Sequence, residues 1–379
     1  MIPLCVPNLC GNERQYLNEC IDTSFVSTVG SFVTRFEEMV ATSAGSSAAV
    51  ATSAGTTGLH LALLAAGVQP GDLVVLPSFT FIASANAIAH CGAEPWLFDV
   101  EPAGWTLDPA LLATTLERET RTIDNRLVHA ASGRRVAAIL AVYTLGTAPD
   151  MDALARIADR FGLPLLGDAA AAQGCLYRGQ PVGRHGAALA VFSFNGNKTV
   201  TAGGGGAVVG DSDLLATVRH LSSTARVSAD YTHDRVGFNF RMTNLQAAVG
   251  CAQMELLDTF VAAKRAIRAR YDAAFGDLPG VSVFPEPEWS NSSCWFSGLV
   301  LPEAGVTPDD LRARLSNAGI EARPFWKPMH LQAPFADAPR TPQPVVDGFW
   351  RRIVTLPCST HLTEAEQQHV IDVVREVLA

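Results

Sequence analysis

Three short stretches of this 379-residue chain carry side chains that could do chemistry together. LLGDAAAAQG ends an apolar run on Asp168. VFSFNGNKTVTAGGGG is an apolar run followed by a polar loop with Ser193, Asn195 and Lys198. TSAGTTGLHLALLAAG places Gly55, Thr56 and Thr57 at the start of a helical pattern. A lysine amine condenses with an aldehyde, and a carboxylate at a strand end holds a ring nitrogen protonated. Backbone N–H groups at a helix start, at the positive end of its dipole, receive a phosphate. Ser193 adds a hydroxyl to the same cradle. An imine-forming amine, a pyridinium partner and a phosphate cradle are what pyridoxal 5′-phosphate (PLP) requires of a protein. Singly, each piece has an ordinary structural reading: a capping Asp, a solvated Lys, a tight turn, a flexible GGGG loop. Their order and joint placement carry the chemical reading.

The surrounding pattern supplies the elements that must position these groups. Apolar runs at residues 48–52, 73–77, 95–100, 136–142, 163–167, 189–194 and 207–210 predict strands. Amphipathic segments at 57–66, 109–116 and 151–160 predict crossover helices. Strands that do not alternate, joined through helices, imply a mostly parallel sheet covered on both faces, with ligands gathered beyond the strands' carboxyl ends. Thr243 and Asn244 are N-capping types for one long helix running through LQAAVGCAQMELLDTFVAAKRAIRARYDAAF. Beyond it the pieces are shorter: strands near 281–284 and 294–301, then helices at 308–317 and 364–377. The expected fold class is α/β, a large domain with a mixed, mostly parallel seven-stranded sheet flanked by helices plus a smaller C-terminal α/β domain. The expected domains are residues 1–255, the cofactor-binding part, and 256–379, with the N-terminal segment free to pack on the smaller one. No internal repeat or low-complexity linker interrupts the chain.

Composition narrows the class further. Hydrophobic residues make up 48%, enough for a large core, and the formal charge of −9 argues against nucleic acid or an anionic membrane as main partner. The eight cysteines, at 5, 10, 20, 91, 175, 251, 294 and 358, form no C-x-x-C pair and read as reduced thiols rather than a metal or disulfide framework. MIPLCVPNLCGNERQ has neither the basic start nor the apolar run of a signal peptide, and no apolar stretch approaches the roughly 20 residues of a membrane helix. A cytoplasmic enzyme with no metal is the expectation.

With these residues in view, the sequence resembles the DegT/DnrJ/EryC1/StrS family of sugar-nucleotide aminotransferases, which are fold-type I PLP enzymes. The resemblance covers essentially the whole chain, from IPLCVPNLCGNERQYLNECIDTSFVSTVGSFVTRFEE through VLPSFTFIASANAIAHCGAEPWLFDV. FSFNGNKTVTAGGGG, VGFNFRMTNLQAAVG and ARPFWKPMHLQ together resemble the branch acting on UDP-4-keto-6-deoxy-N-acetylhexosamines, on routes to bacillosamine and legionaminic acid. The resemblance implies Lys198 as the cofactor's imine lysine, Asp168 as its pyridinium partner and Phe81 stacked on its ring. It implies Gly55, Thr56, Thr57 and Ser193 at the phosphate. Asn239 would reach the phosphate from a neighbouring subunit, which implies a homodimer with shared sites. Asn195, Arg241, Arg323, Trp326, Lys327 and His330 would meet the nucleotide sugar, with L-glutamate as amino donor to a C4 ketone. Three positions depart from the family pattern: Ala171 where Gln, Glu or His is common, Gly167 where Glu is frequent, and Tyr143 where His is frequent. A less polar wall beside the cofactor follows.

Three rivals remain at this stage. Another PLP reaction on a keto-sugar, such as 3-amination or dehydration, shares the fold, although relatives that dehydrate carry His where Lys198 stands. A non-catalytic binding or regulatory protein would have no reason to keep Lys198 and Asp168. A dinucleotide-binding enzyme would need G-x-G-x-x-G, a spacing SAGTTG does not have.

Overall fold

The computed structural model describes residues 1–378. The seven expected strands all form: β1 (Ala49–Thr52), β2 (Leu73–Pro77), β3 (Glu94–Phe98), β4 (Val136–Val142), β5 (Leu165–Asp168), β6 (Leu189–Ser193) and β7 (Gly206–Gly210). They make one sheet in the order β1-β7-β6-β5-β4-β2-β3. β7 alone is antiparallel to its neighbours β1 and β6; the remaining pairs are parallel.

Helices α1 (Glu13–Asp22), α2 (Ser31–Ala44), α3 (Gly55–Ala65), α4 (Ile82–His90), α5 (Pro109–Glu119), α6 (Met151–Phe161), α7 (Ser212–Ser222) and α8 (Asn244–Met254) cover this sheet. Successive strand residues point to opposite faces. Ala49, Val75, Ile139, Leu165 and Phe192 pack with α2, α5, α6 and α8. Val50, Leu76, Leu140, Leu166 and Val191 pack with α3, α4 and α7. Both faces are dry, which is why these strands read as unbroken apolar runs.

The single long helix expected after Thr243 is two helices. Thr243 caps α8 in a capping box with Gln246, as its residue type suggests. The helix then stops at Met254 and restarts as α9 (Leu257–Phe275). At the break, Glu255 accepts from Asn12 Nδ2 at 2.8 Å and Tyr16 Oη at 2.6 Å, and pairs with Arg35. These contacts come from residues more than two hundred positions away, so local periodicity could not register them.

A smaller antiparallel sheet follows α9: β8 (Ser282–Val283), β9 (Ser297–Val300), β10 (Arg323–Pro324) and β11 (Ile353–Leu356), ordered β8-β9-β11-β10. It packs on α9, α10 (Pro308–Asn317), α11 (Pro344–Phe349) and α12 (Glu364–Leu378). The N-terminal segment joins this part. Ile2 exchanges backbone hydrogen bonds with Gly319 and Glu321, and the Leu4 carbonyl accepts from Cys358 N at 2.8 Å. Trp105 stacked on Phe349 at 4.4 Å locks the two sheets' surroundings together.

Candidate active site

β1, β2, β5 and β6 all point the same way, so their carboxyl ends share one edge of the sheet. Because β7 returns antiparallel beside β6, the connection between them lies at that edge too. Phe194 N donates to Gly205 O at 2.9 Å and Ala202 N to Phe194 O at 2.9 Å, pinching this loop at its base. Lys198 stands on it. A cavity of about 450 Å³ opens there, lined by Gly55, Thr56, Phe81, Asp168, Ser193 and Lys198 among others.

Each wall has a local cause. α3 begins at Gly55, so its unpaired first amides and the positive end of its dipole open on the cavity. A Cβ at Gly55 would stand 2.8 Å from Ser193 Cβ, so glycine lets the helix start close on the hydroxyl. Gln173 Nε2 donates to the Ser193 carbonyl and fixes the end of β6.

Asp168 is buried, and burial pushes its carboxyl pKa up. The opposing influences are Ser84 Oγ, donating at 2.6 Å, Ala170 N, donating at 3.1 Å, and the positive charge of Lys198. Thr80 Oγ1 lies 2.8 Å from Ser84 Oγ and extends the chain of hydroxyls. For Lys198, desolvation is the larger effect and lowers the amine to about 8, against the pull of Asp168 and Cys5. Its Nζ lies 3.7 Å from the centroid of the Trp295 ring.

Phe81 is 55% exposed, an unusual fraction for a phenylalanine in a cavity wall. The residues fit PLP on these observations: an aromatic face left uncovered, a buried carboxylate, a lysine with a lowered pKa and a helix N-terminus beside a hydroxyl, all on one cavity.

The other expected residues are spread more widely. Asn195, Arg323 and Trp326 line the same cavity. Thr57 does not; its Oγ1 accepts from Ala54 N at 3.0 Å and donates to Ala54 O at 2.8 Å, capping α3. His330 is buried behind the wall, with Nδ1 2.7 Å from Ser78 Oγ and Nε2 3.1 Å from Asp347 Oδ1. Desolvation lowers its pKa despite Asp347, so the ring is neutral near pH 7. It pins the segment bearing Trp326 to the end of β2. Lys327 is exposed outside the cavity. Arg241 lines a separate depression with Glu37 and Arg219, bridging Thr52 through its backbone. Asn239 is exposed, on a strip with Val236, which is 85% exposed.

Two of the departures from the family pattern are neighbours. Tyr143 is buried on the cavity wall, and a Cβ at Gly167 would lie 3.2 Å from its Cε2. The tyrosine ring occupies space that a side chain at 167 would contest, so the two substitutions are sterically matched. Ala171 is also buried on this wall, beside the aromatic group Trp295, Phe296, Phe325 and Trp326. The wall is apolar, as Ala171 and Tyr143 foretell. Of that aromatic group only Trp326 stood out in the sequence. Ser84 and Leu4, also part of the site's surroundings, gave no spacing signal.

Fold and site together define a PLP-dependent aminotransferase, and comparison with known proteins bears this out. The model of the DegT/DnrJ/EryC1/StrS aminotransferase family matches residues 7–375. The chain is 37% identical to the putative pyridoxal phosphate-dependent aminotransferase EpsN of Bacillus subtilis (strain 168), over 98% of this chain and 94% of that one. It is also 37% identical to GDP-perosamine synthase of Caulobacter vibrioides, over 100% of this chain and 98% of the relative. The crystal structure of a DegT DnrJ EryC1 StrS aminotransferase from Brucella abortus superposes with a TM-score of 0.87 at 28% identity, covering 97% and 95% of the two chains. This chain belongs to the DegT/DnrJ/EryC1/StrS aminotransferase family and is a sugar-nucleotide aminotransferase using PLP. Among the described residues, no helix is long and apolar enough to cross a membrane.

Proposed function

We propose that the chain moves an amino group from L-glutamate to the C4 ketone of a nucleotide-linked 4-keto-6-deoxyhexose. The single observation that carries the reading is the convergence of Lys198, Asp168, Phe81 and the α3 N-terminus on one cavity. PLP, when bound, supplies an electron sink that stabilises the carbanion formed at the reacting carbon. The protein's part is to hold and move protons. Asp168 keeps the ring nitrogen protonated, with Ser84 and Ala170 N–H favouring its ionised form. Lys198, its pKa lowered to about 8, has a sizeable neutral fraction near neutral pH and can carry a proton between donor Cα and cofactor carbon. Phe81 would offer an aromatic face to the cofactor ring, and Trp295 and Trp326 add apolar surface to the same cavity.

For the acceptor we propose a UDP-linked N-acetylhexosamine, on the likeness of FSFNGNKTVTAGGGG, VGFNFRMTNLQAAVG and ARPFWKPMHLQ. A GDP-linked sugar is the second reading, favoured by the relatives named GDP-perosamine synthase at 37% and 36% identity. Arg323, Trp326 and Asn195 are the proposed sugar contacts. The test is L-glutamate with a panel of UDP-, GDP- and dTDP-linked 4-keto-6-deoxysugars, read by mass change and by NMR at C4. Amination of no keto-sugar overturns the reading.

The active form we propose is a homodimer in which Asn239 completes the partner's phosphate site. Asn239 is exposed and outside its own chain's cavity, and Val236, three residues before it, is an exposed apolar group of the kind a partner covers. Mixing inactive Lys198→Ala and Asn239→Ala proteins under subunit exchange should restore one complete site per heterodimer. No recovery from exchanged subunits refutes the shared site. The domain division after residue 255 is proposed on the same footing, from the break between α8 and α9.

A further inference from the structure

Behind the cavity wall lies a group of ionisable side chains that amino transfer does not use. Lys264, in the middle of α9, is only 1% exposed. Its Nζ contacts the Trp295 carbonyl at 2.9 Å, Cys5 Sγ at 3.4 Å and Cys358 Sγ at 3.6 Å. A buried ammonium is very costly unless an opposite charge accompanies it. Among the described residues no carboxylate faces it; its electrostatic partners are the two cysteines.

We propose that Cys5 and Cys358 form a peroxide-sensitive dithiol, held as a thiolate–thiol pair by the Lys264 ammonium and convertible to a disulfide that links the N-terminal segment to the strand end after β11. The backbone already brings the two together: Cys358 N donates to Leu4 O at 2.8 Å, and Val6 N donates to Ser359 Oγ at 3.1 Å. Both sulfurs sit on the same ammonium, Lys264 Nζ at 3.4 Å from Cys5 Sγ and 3.6 Å from Cys358 Sγ, so the two thiols titrate as a pair. The interaction with Cys358, with the charges of Lys264 and Lys198, outweighs burial and lowers Cys5 to about 6, while Cys358 is pushed well up. The remaining titratable neighbour is Tyr271, whose hydroxyl donates to the Pro357 carbonyl at 2.9 Å. Cys5 is half-buried and Cys358 fully buried, so the thiolate is the sulfur an oxidant meets first.

The chemistry balances with hydrogen peroxide as oxidant. The Cys5 thiolate attacks one peroxide oxygen; the O–O bond breaks, hydroxide leaves and Cys5 becomes a sulfenic acid. Cys358, giving up its proton to that hydroxide, attacks Cys5 Sγ. The S–S bond forms, the S–O bond breaks, and the second hydroxide takes a solvent proton. Two sulfurs lose two electrons in all, and peroxide leaves as two waters.

The consequence reaches the cofactor lysine. Cys5 Sγ lies 3.5 Å from the Asn197 carbonyl, which also accepts from Trp295 Nε1 at 2.6 Å, directly beside Lys198. The Cys5 charge raises the proton affinity of Lys198, so oxidation should lower it further.

The test uses the full reduced chain. Iodoacetamide labelling followed peptide by peptide against pH should show Cys5 reacting with a midpoint near 6. In Lys264→Met the midpoint should rise toward the ordinary thiol value of about 8.5. A few equivalents of peroxide should yield a Cys5–Cys358 linked peptide. In Cys358→Ser the reaction should stop at a Cys5 sulfenic acid that dimedone labels. A wild-type Cys5 midpoint at or above about 8.5, or oxidation that joins Cys5 to another cysteine or leaves it a free thiol, overturns the proposal. The wild-type readings stand even if a variant fails to fold.

Discussion

Replacing Ser84 by alanine isolates the ionisation of Asp168 from everything else in the cavity. Ser84 Oγ donates to Asp168 Oδ2 at 2.6 Å in a buried setting, and Ala170 N–H remains as the other donor. A hydrogen bond to a charged group is worth roughly 1.5–3 kcal/mol, and the surviving donor argues for the lower end. At about 1.4 kcal/mol per pH unit, loss of Ser84 should raise the Asp168 pKa by about one unit. The sign follows from the state that works: Asp168 must be ionised, and a donor to the ionised form keeps its pKa down. Activity of Ser84→Ala should therefore fail at a higher pH than wild type as pH falls, the acid limb moving up by about one unit. The assay is kcat for amino transfer against pH, with bound cofactor quantified at each point. Thr80→Ala, one hydroxyl further out, should move the limb in the same direction by less. An acid limb in Ser84→Ala that coincides with wild type, at full cofactor occupancy, refutes the idea that this hydroxyl sets the charge of Asp168.

Other expectations follow from the same geometry. The rate at which cofactor-free protein takes up PLP should climb as pH rises through about 8, where Lys198 becomes neutral; a flat profile would contradict the lowered amine, and Lys198→Ala should show no visible band of lysine-bound cofactor. Ala171→Glu should change relative rates among keto-sugars, and unchanged ratios would remove this wall position from substrate choice. Tyr143 Oη is buried with no hydrogen-bond partner, so Tyr143→Phe should raise stability, by about 1 kcal/mol at the low end of the usual penalty. A lower denaturant midpoint for that variant would mean the hydroxyl is partnered after all.

What the sequence disclosed and what it withheld divides along physical lines. The seven strands of the large sheet were legible because each is buried on both faces, and such burial writes a run of Val, Leu, Ile and Ala that no loop imitates. Asp168 and Ser193 stood out at the ends of two such runs, and Lys198 on the polar loop just beyond the second. The break at Glu255 was not, since its cause is Asn12, Tyr16 and Arg35, brought in by the fold. Trp295 and Phe296, just before β9, were hidden because aromatic residues flanking a strand look the same whether they face a core or a cavity. His330, expected from its motif at the sugar, is seated by the structure between Ser78 and Asp347, an environment no local pattern discloses. Thr57 likewise spends its hydroxyl on the α3 cap.

The pairing of the first residues with the last third of the chain has a consequence for how the protein comes into being. Leu4 lines the cavity, yet Ile2 and Leu4 are held by Gly319, Glu321 and Cys358. During synthesis Ile2 and Leu4 must wait, undocked, until more than three hundred later residues have emerged. The cavity is therefore among the last features of the molecule to be completed, and its final wall is set by a segment made more than three hundred residues earlier. A fusion partner attached ahead of Met1 would sit beside this late docking step, and its effect would be felt in assembly of the site before it was felt in the stability of the sheet.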